Sequence, residues 1–244
     1  MIDKITTEGK EQVMEGFKGF KSDWTCQGFR FAPGETVEHE GPVELCNSGF
    51  HFCEYPLDVF TYYPPTGSKF AVVEAGTVSD EKGDDSKRVA RSMTVKAELD
   101  IAGIVRAAVD YTFSRAKKPT KTGVASGYQG AAQASGTQGA AQASGDRGAA
   151  QASGYQGAAQ ASGYQGAAQA SGYQGAAQAS GYQSIAHADG PDSKACGALD
   201  TWLTLSEWSD GWTKRIGVKA VRVDGKRVKA DVWYMLKGGK VVKA

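Results

Sequence analysis

The stretch GYQGAAQASGYQGAAQASGYQGAAQAS, from Gly154 to Ser180, repeats one nine-residue unit three times. The same spacing extends to both sides of it. Glycine recurs every nine residues without a slip at Gly127, Gly136, Gly145, Gly154, Gly163, Gly172 and Gly181. Self-similarity at a fixed period is the sequence signature of a repeat architecture. The repeat therefore decides the fold of the middle of the chain.

A long helix and a collagen-like triple helix do not fit this spacing. Nine residues make roughly two and a half α-helical turns, so successive repeats would place their alanines on opposite sides of a helix. Glycine in a helix interior also costs about 1 kcal/mol per residue. Collagen needs glycine in every triplet, whereas these repeats have it in only two triplets of three.

A disordered linker is the main alternative, because Gly, Ser and Gln favour disorder. Two features count against it. The period is held without error, although the length of a linker hardly matters. Tyrosine also recurs at one phase of the repeat only, at Tyr128, Tyr155, Tyr164, Tyr173 and Tyr182. A β-solenoid accounts for both features, and it is the structure that we predict.

In such a solenoid each repeat supplies one short strand and one corner. Side chains alternate between the two faces of a strand, so the alanines of Ala132–Ala134 point inward and Gln133 points outward. We expect Ser135-Gly136 to form the corner, with the glycine at positive φ. Two repeats would close an 18-residue coil, and one repeat would close a nine-residue coil. The sequence is compatible with both coil lengths and with either handedness.

The outward side chains are the predicted binding residues. An 18-residue coil places the glutamines in two rows on opposite faces, and a nine-residue coil places them in one row. Either arrangement allows amide side chains to hydrogen-bond along the stack. The predicted binding residues are Gln133, Gln142, Gln151, Gln160, Gln169, Gln178, Tyr155, Tyr164 and Tyr173.

The composition changes abruptly near Thr122 and again near Pro191, which predicts three domains in a mainly β chain. Residues 1–122 read as a small α+β domain, residues 123–190 as the Ala/Gly nonapeptide-repeat solenoid, and residues 191–244 as an antiparallel β meander that caps it. Turn signals typical of hairpins separate the strands of the meander. These signals are Asp210-Gly211, Asp224-Gly225 and Gly238-Gly239.

Within the N-terminal domain, alternating and β-rich runs predict strands, and two helices follow from their start signals. Pro56 begins a short helix. Asp100 caps a helix over Ile101–Lys117 that should pack on the sheet, with Lys117-Lys118-Pro119 as its stop. The predicted strands are Gly28–Pro33, Gly49–Cys53, Lys69–Val73 and Val89–Leu99.

Charge is unevenly spread along the chain. Residues 191–244 carry 11 Lys/Arg against 6 Asp/Glu, a net charge of +5 within a chain of net charge +1. Cationic side chains on the solvent-exposed face of a strand explain this excess, and nucleic-acid binding usually needs a denser basic patch. Nucleic acid is therefore not an expected partner. No stretch reaches the about 20 apolar residues of a membrane span, and no signal peptide is visible, so we expect cytoplasmic synthesis. Later incorporation into a virus particle is compatible with this expectation.

Four cysteines are too few for a disulfide scaffold in a chain of this length. Cys26, Cys46, His51 and Cys53 could be written as a zinc site, but their spacing matches no standard zinc knuckle or ribbon. We expect buried, reduced cysteines and no cofactor. A Walker loop, a Gly-x-Ser-x-Gly elbow and a dinucleotide-binding fingerprint are all absent from the sequence. The chain is therefore not expected to be an enzyme.

Several motifs resemble an uncharacterised family of phage and prophage proteins, in which such a domain is followed by Ala-x-Ala-Ser/Thr-Gly repeats. They are CQGFRF (residues 26–31), CNSGFHFC (46–53), PLD (56–58), YY (62–63), GAL (197–199), LSEW (205–208) and VWYML (232–236). The resemblance implies a phage origin and a solenoid, and it implies no particular activity. The repeats are also similar to the head repeats of trimeric autotransporter adhesins, but those have a longer period, so a trimer does not carry over.

The segment from Gly49 to Glu74 also resembles the strand–helix–strand centre of ADP-ribosyltransferases. On that analogy His51, Tyr62 and Glu74 would line an NAD pocket. The usual upstream His-Gly-Thr is missing. We therefore expect a non-enzymatic phage protein that binds another protein, such as a counter-defence inhibitor in the cytoplasm of an infected bacterium. A virion-associated structural or surface-binding protein and the NAD-dependent enzyme are the alternatives, and self-association is left open.

Overall fold

The structure is a computed structural model that describes residues 13–81, 85–115, 123–209 and 212–244. The extreme N-terminus, the predicted helix stop at Lys117-Lys118-Pro119 and the predicted turn at Asp210-Gly211 lie outside the described residues. The chain is mainly β, as the sequence predicts. It divides into two compact units. The first comprises the described residues up to Tyr62 together with Lys69–Glu98, and the second comprises Tyr63–Ser68 and the described residues from Leu99 onward.

The first unit is an antiparallel β structure. Its strands are Met14–Lys21 (β1), Thr25–Cys26 (β2), Phe29–Arg30 (β3), Thr36–Glu38 (β4), Phe50–Cys53 (β5), Ser68–Val78 (β6) and Lys87–Leu99 (β7). The main sheet has the order β4-β7-β5-β1-β6, and β6 also pairs with β7, so the sheet closes on itself. Pro56–Asp58 forms a 3₁₀ turn that leads into the short helix Val59–Tyr62 (α1). The core is aromatic, with Phe20 and Phe31 packed edge to face at a centroid distance of 5.2 Å.

The second unit is built on a two-sheet β-solenoid of about five turns over residues 124–205. Its strands are Val124–Ala125 (β8), Ala131–Ala134 (β9), Ala140–Ala143 (β10), Ala149–Ala152 (β11), Ala158–Ala161 (β12), Ala167–Ala170 (β13), Ala176–Ala179 (β14), Ile185–Ala188 (β15), Lys194–Gly197 (β16) and Trp202–Trp208 (β17). Sheet I contains the parallel strands β9, β11, β13, β15 and β17. Sheet II contains the parallel strands β8, β10, β12, β14 and β16.

The strand register resolves the length of the coil. Ala140 pairs with Ala158, and Gln142 pairs with Gln160, so each residue stacks on the residue 18 positions later. The coil therefore has 18 residues, and consecutive nine-residue repeats lie in opposite sheets. The alanines at the second and fourth positions of each strand form the core between the sheets, as predicted. Ala150 and Ala152 are examples that have no exposed surface.

The corners differ from the predicted geometry. From Gly136 to Gly181 the repeat glycines do not have positive φ; instead the residue two positions later does, for example Gln156 at φ 54°. This residue is the third of a four-residue turn, in which the Gly157 N–H donates to the Gly154 carbonyl at 3.1 Å. A Cβ atom on Gly154 would overlap the carbonyl group of Gly136 in the preceding coil. Glycine is therefore needed for the close stacking of backbones rather than for a left-handed conformation.

Helix Ile101–Arg115 (α2) lies on the outer face of sheet I, where it contacts β11, β13 and β15. Its predicted cap is confirmed, because Asp100 Oδ1 accepts the Gly103 N–H at 2.6 Å. The sequence predicted that this helix would pack on the sheet of the N-terminal domain, whereas these contacts belong to the solenoid. They bury the outward-facing first alanine of the strands, such as Ala149 and Ala167.

The C-terminal strands are Arg215–Arg222 (β18), Tyr234–Lys237 (β19) and Lys240–Lys243 (β20). They differ from a single meander, because they extend the two solenoid sheets separately. β18 pairs with β17 at the end of sheet I, and the hairpin β19–β20 joins sheet II through β16. The turn at Gly238-Gly239 is a two-residue hairpin in which both glycines have positive φ, as predicted.

Candidate binding surface

The corners of the solenoid form two edges that run along its axis. We call edge A the corners that lead from sheet I to sheet II, at residues 136–139, 154–157, 172–175 and 190–193. We call edge B the corners that lead from sheet II to sheet I, at residues 127–130, 145–148, 163–166 and 181–184. Because the coil has 18 residues, every second tyrosine lies on the same edge.

Edge A carries a column of three aromatic rings. Tyr155 stacks on Tyr173 with a centroid distance of 5.3 Å and an interplanar angle of 28°. Trp212, from the loop that precedes β18, packs on Tyr173 at 4.3 Å. Tyr155 and Trp212 remain about half exposed, at 49% and 50%. Coil stacking thus converts residues distant in sequence into one continuous aromatic surface.

A ladder of amide side chains runs beside this column. Gln138 Nε2 donates to Gln156 Oε1 at 3.3 Å, and Gln156 Nε2 donates to Gln174 Oε1 at 3.1 Å. All three side chains are exposed. Each lies one residue after the aromatic position of its repeat, and each has positive φ. Gln174 Nε2 in turn donates to the Tyr173 hydroxyl at 3.3 Å, so the ladder is joined to the aromatic column and the side-chain positions are fixed.

The stacking direction determines what edge A presents to a partner. Tyr173 is covered on its two sides by Tyr155 and Trp212, so this central ring exposes its edge rather than an open face. Sugars and nucleic-acid bases bind by stacking on open faces. Protein interfaces use aromatic side chains with one apolar body and one polar tip. The stacking therefore leaves the central ring of the column without an open face.

Edge B has a similar column whose polar groups are engaged internally. Tyr164 and Tyr182 stack at 6.1 Å. The Tyr164 hydroxyl donates to Gln183 Oε1 at 2.9 Å, and the Arg147 guanidinium donates to the Tyr128 hydroxyl at 3.0 Å. Arg147 and its neighbour Asp146 replace the Tyr-Gln pair in this coil. Edge B is consequently a polar network that includes charged as well as neutral side chains.

The predicted glutamine rows of the strands occupy two different environments. Gln142, Gln160 and Gln178 lie on the outer face of sheet II and are exposed or half-buried. On sheet I, Gln133 is exposed and donates to Gln151 at 3.5 Å, whereas Gln169 is only 3% exposed. The prediction that every Gln in this row faces solvent is therefore wrong for Gln169. Helix α2 covers this part of sheet I, which the repeat pattern alone could not reveal.

A partly buried ionic cluster fixes α2 and β18 to the solenoid. Asp189 accepts from Arg106 of α2 at 3.2 Å, from Arg215 of β18 at 2.9 Å and from Ser206 at 2.9 Å. Burial opposes the charged form of Asp189. Its contacts with His187, Arg215 and Ser206 outweigh that effect, so its pKa lies far below the usual range for Asp. The cluster therefore joins α2 and β18 to the corner that follows β15. The two ring nitrogens of His187 have no hydrogen-bond partner among the described residues, and Nε2 lies 3.8 Å from Asp189 Oδ1.

The residues suggested by the ADP-ribosyltransferase analogy have structural partners in the first unit. His51 Nε2 accepts the backbone N–H of Cys46 at 2.9 Å. Burial, followed by the nearby Lys18 and Lys87 charges, lowers the pKa of His51. The Tyr62 hydroxyl donates to Asp85, and burial and this hydrogen bond raise the pKa of Tyr62 to about 12. The Glu74 carboxylate pairs with Lys96 at 3.3 Å. Each of the three side chains therefore has a partner within the first unit, and NAD-dependent chemistry stays a prediction.

The cysteines do not form a metal site in the part of the chain that the structure describes. No group of three or more His, Cys, Asp or Glu side chains within these residues could hold a metal ion. Of the predicted ligands, Cys46 is exposed, Cys26 is half-buried and Cys53 is buried. Burial raises the pKa of the Cys53 thiol, which opposes the thiolate form that zinc requires.

Two parts of edge A were missed by the sequence analysis. The edge glutamines Gln138, Gln156 and Gln174 share the nine-residue period of the tyrosines and directly follow their phase, so the repeat contained the signal. Trp212 carries no such signal, because it lies outside the repeats. Its place in the column follows only from the fold.

Comparison with known proteins gives a limited result. Residues 14–107 match a protein family described as Domain of unknown function (DUF7666). The match covers the strands of the first unit, reaches into α2 and ends before the solenoid strands. No curated protein and no solved structure matches the chain. Among the described residues, no helix combines the length and apolar character that are needed to cross a membrane.

Proposed function

We propose that this chain is a non-enzymatic binding protein whose solenoid presents edge A to a protein partner. The observation that carries the proposal is the exposed column Tyr155–Tyr173–Trp212 beside an ordered amide ladder. Tyrosine and tryptophan are enriched among the residues that dominate binding energy at protein interfaces. Their positions are fixed by coil stacking, so little conformational entropy is lost when a partner binds.

The partner that we propose is a protein of a bacterial host, and the chain itself is proposed to be encoded by a phage. The support is the resemblance of the N-terminal motifs and repeats to phage and prophage proteins. A rigid binding surface without a catalytic cluster fits an inhibitor that blocks a host defence component in the infected cytoplasm. Incorporation into the virion is the second location compatible with such a surface.

The proposal is tested by affinity purification of the tagged full-length chain from bacterial cells, followed by mass spectrometry. The wild-type chain is compared with Tyr155→Ala, which truncates the exposed end of the edge A column. Tyr182→Ala is the matched control, because Tyr182 has the same repeat position on edge B and is also exposed. A single interface tyrosine contributes about 2 kcal/mol or more, or roughly a 30-fold change in affinity.

We expect Y155A to lose the captured partner and Y182A to retain it. Equal capture by both variants would contradict the assignment to edge A. Detection of the chain in purified particles, with no host protein captured, would favour the virion location instead. Transfer of label from NAD to host proteins by the purified chain would contradict the non-enzymatic function.

A further inference from the structure

The distal end of the solenoid carries a second surface of a different chemical kind. Residues 212–244 contain ten Lys/Arg against two Asp/Glu, Asp224 and Asp231. This segment forms the last strand of each sheet, β18 and β20, together with the loops around them. The net charge of residues 212–244 is therefore +8, which exceeds the +5 of the longer segment 191–244. We call this surface the basic cap.

Most of these cations lack an anionic partner. Arg215 pairs with Asp189 and Asp100, and Arg222 pairs with Asp200 at 2.9 Å. The remaining eight are exposed, and none has a carboxylate within ion-pair distance among the described residues. They are Lys214, Lys219, Lys226, Arg227, Lys229, Lys237, Lys240 and Lys243.

Two carboxylates at this end of the solenoid, Asp224 and Glu207, bond to the backbone. Asp224 Oδ1 accepts the N–H groups of Lys226, Arg227 and Val228 at 2.8–3.0 Å. Glu207 accepts the N–H groups of Gly238 and Gly239 in the turn of the β19–β20 hairpin. These contacts hold the loops in place while they leave the neighbouring cationic side chains without compensation.

Protection of the sheet edges explains only part of this arrangement. Lysines on an edge strand oppose pairing with another chain, and Lys219, Lys240 and Lys243 lie on the terminal strands β18 and β20. Lys226, Arg227 and Lys229 lie in the segment between β18 and β19, where no edge needs protection. Their presence calls for a different cause.

We propose that the basic cap binds the phosphodiester backbone of a nucleic acid. The cations are dispersed over three strands and the loops that precede β18 and β19, rather than gathered around one point. Such a distribution suits a linear polymer that carries a charge about every 1.7 Å. Seven of the eight are lysines. The lysine ammonium binds phosphate as a point charge and lacks the planar pair of donors with which arginine recognises a base edge. The binding is therefore independent of sequence and strongly dependent on salt. The eight cations include no side chain of the edge A column or of its amide ladder.

The test measures fluorescence anisotropy of a labelled random-sequence 20-base-pair DNA duplex with the full-length chain at several salt concentrations. The test variant is K226A/R227A/K229A, which leaves every strand of the solenoid unchanged. The control is K21A/R30A/K96A, which removes the same charge from exposed positions of the first unit. Circular dichroism and thermal unfolding establish that both variants fold.

The wild-type chain should bind the duplex at 50 mM salt, with an affinity that falls linearly on a double-logarithmic plot against salt. The cap variant should bind at least about tenfold more weakly, and its slope should be smaller by about 2–3, because each lost phosphate contact removes about 0.9. The control should retain the wild-type slope. Absence of binding at 50 mM salt, or equal losses in both variants, would overturn the proposal. Tighter binding to poly-glutamate or to phosphatidylserine vesicles than to the duplex would overturn the assignment to nucleic acid.

Discussion

Tyr155 and Tyr173 stack with their ring centroids 5.3 Å apart, although 18 positions separate them in sequence. This distance matches the spacing of neighbouring strands in a sheet, about 4.8 Å. The aromatic column is thus a direct consequence of the coil length. A residue type placed once in every second repeat becomes a continuous row on one edge of the solenoid.

The stacking of coils predicts which glycines tolerate a side chain. Gly154→Ala should destabilise the chain by about 2–4 kcal/mol, because its Cβ would overlap the backbone of Gly136 in the preceding coil. Chemical denaturation of the full-length chain measures the change.

Gly136→Ala is the matched control, since it has the same repeat position but no atom of the described residues within 4 Å of its added Cβ. Its free energy of unfolding should stay within about 0.5 kcal/mol of wild type. If both substitutions had the same effect, close backbone stacking would not be the reason for the repeat glycine.

At the left-handed residue of the corner, we predict that a substitution increases stability. Gln129 has φ 55°, a conformation that costs a side-chain-bearing residue about 1–2 kcal/mol. Gln129→Gly should therefore stabilise the chain by about 0.5–1 kcal/mol in urea unfolding.

Gln133→Gly serves as the comparison, because Gln133 lies in strand β9 and glycine weakens a strand. This variant should be less stable than wild type. A loss of stability in Q129G comparable to that in Q133G would show that the left-handed corner is not present.

The partly buried cluster at Asp189 predicts a specific acid sensitivity. The folded-state pKa of Asp189 is depressed, so its contribution to stability is fully present above the unfolded value of about 3.9 and is lost as the pH falls toward the folded value. Asp189→Asn should lower stability near pH 7 by about 2–4 kcal/mol, since Arg106 and Arg215 lose their common anion.

The pH dependence of this variant separates the charge effect from a packing effect. Between pH 5 and pH 2, the wild type should lose more stability than D189N, so the difference between them should shrink. A constant difference across this range, measured by urea unfolding, would mean that the ionised carboxylate is not responsible.

Two buried threonines near the end of the solenoid differ in one respect. The Thr201 hydroxyl donates to the Ala198 carbonyl at 2.7 Å, whereas the Thr204 hydroxyl has no partner among the described residues. Removal of a satisfied buried hydrogen bond costs about 1 kcal/mol or more, and removal of an unsatisfied hydroxyl is neutral or stabilising. Thr201→Val should therefore be less stable than Thr204→Val, and the reverse order in thermal unfolding would contradict the assigned partners.

Much of the solenoid could be predicted from the sequence, because its signal is local and periodic. The inward direction of the Ala150 and Ala152 side chains follows from strand alternation, and the N-terminal cap of α2 follows from Asp100. The coil length and the role of Gly154 could not be predicted, since both depend on the register between coils. That register is set by backbone contacts between residues 18 positions apart.

The candidate surface was only partly predictable for the same reason. The recurrence of tyrosine at one repeat position indicated a surface, as at Tyr155 and Tyr173. Which tyrosines share an edge depends on the coil length. Gln169 is buried because α2 contacts its strand, and Trp212 joins the column because the β17–β18 hairpin returns beside it. Neither contact leaves a pattern in the nearby sequence.

The most direct test of the central claim is hydrogen–deuterium exchange of the full-length chain, alone and with its captured protein partner. The account predicts that binding slows exchange at the edge A corners, residues 154–157 and 172–175, and in the segment around Trp212. It predicts little change at the edge B corners, residues 163–166 and 181–184. Protection confined to edge B, or to residues 13–98 alone, would contradict the claim that the aromatic column of edge A forms the binding surface.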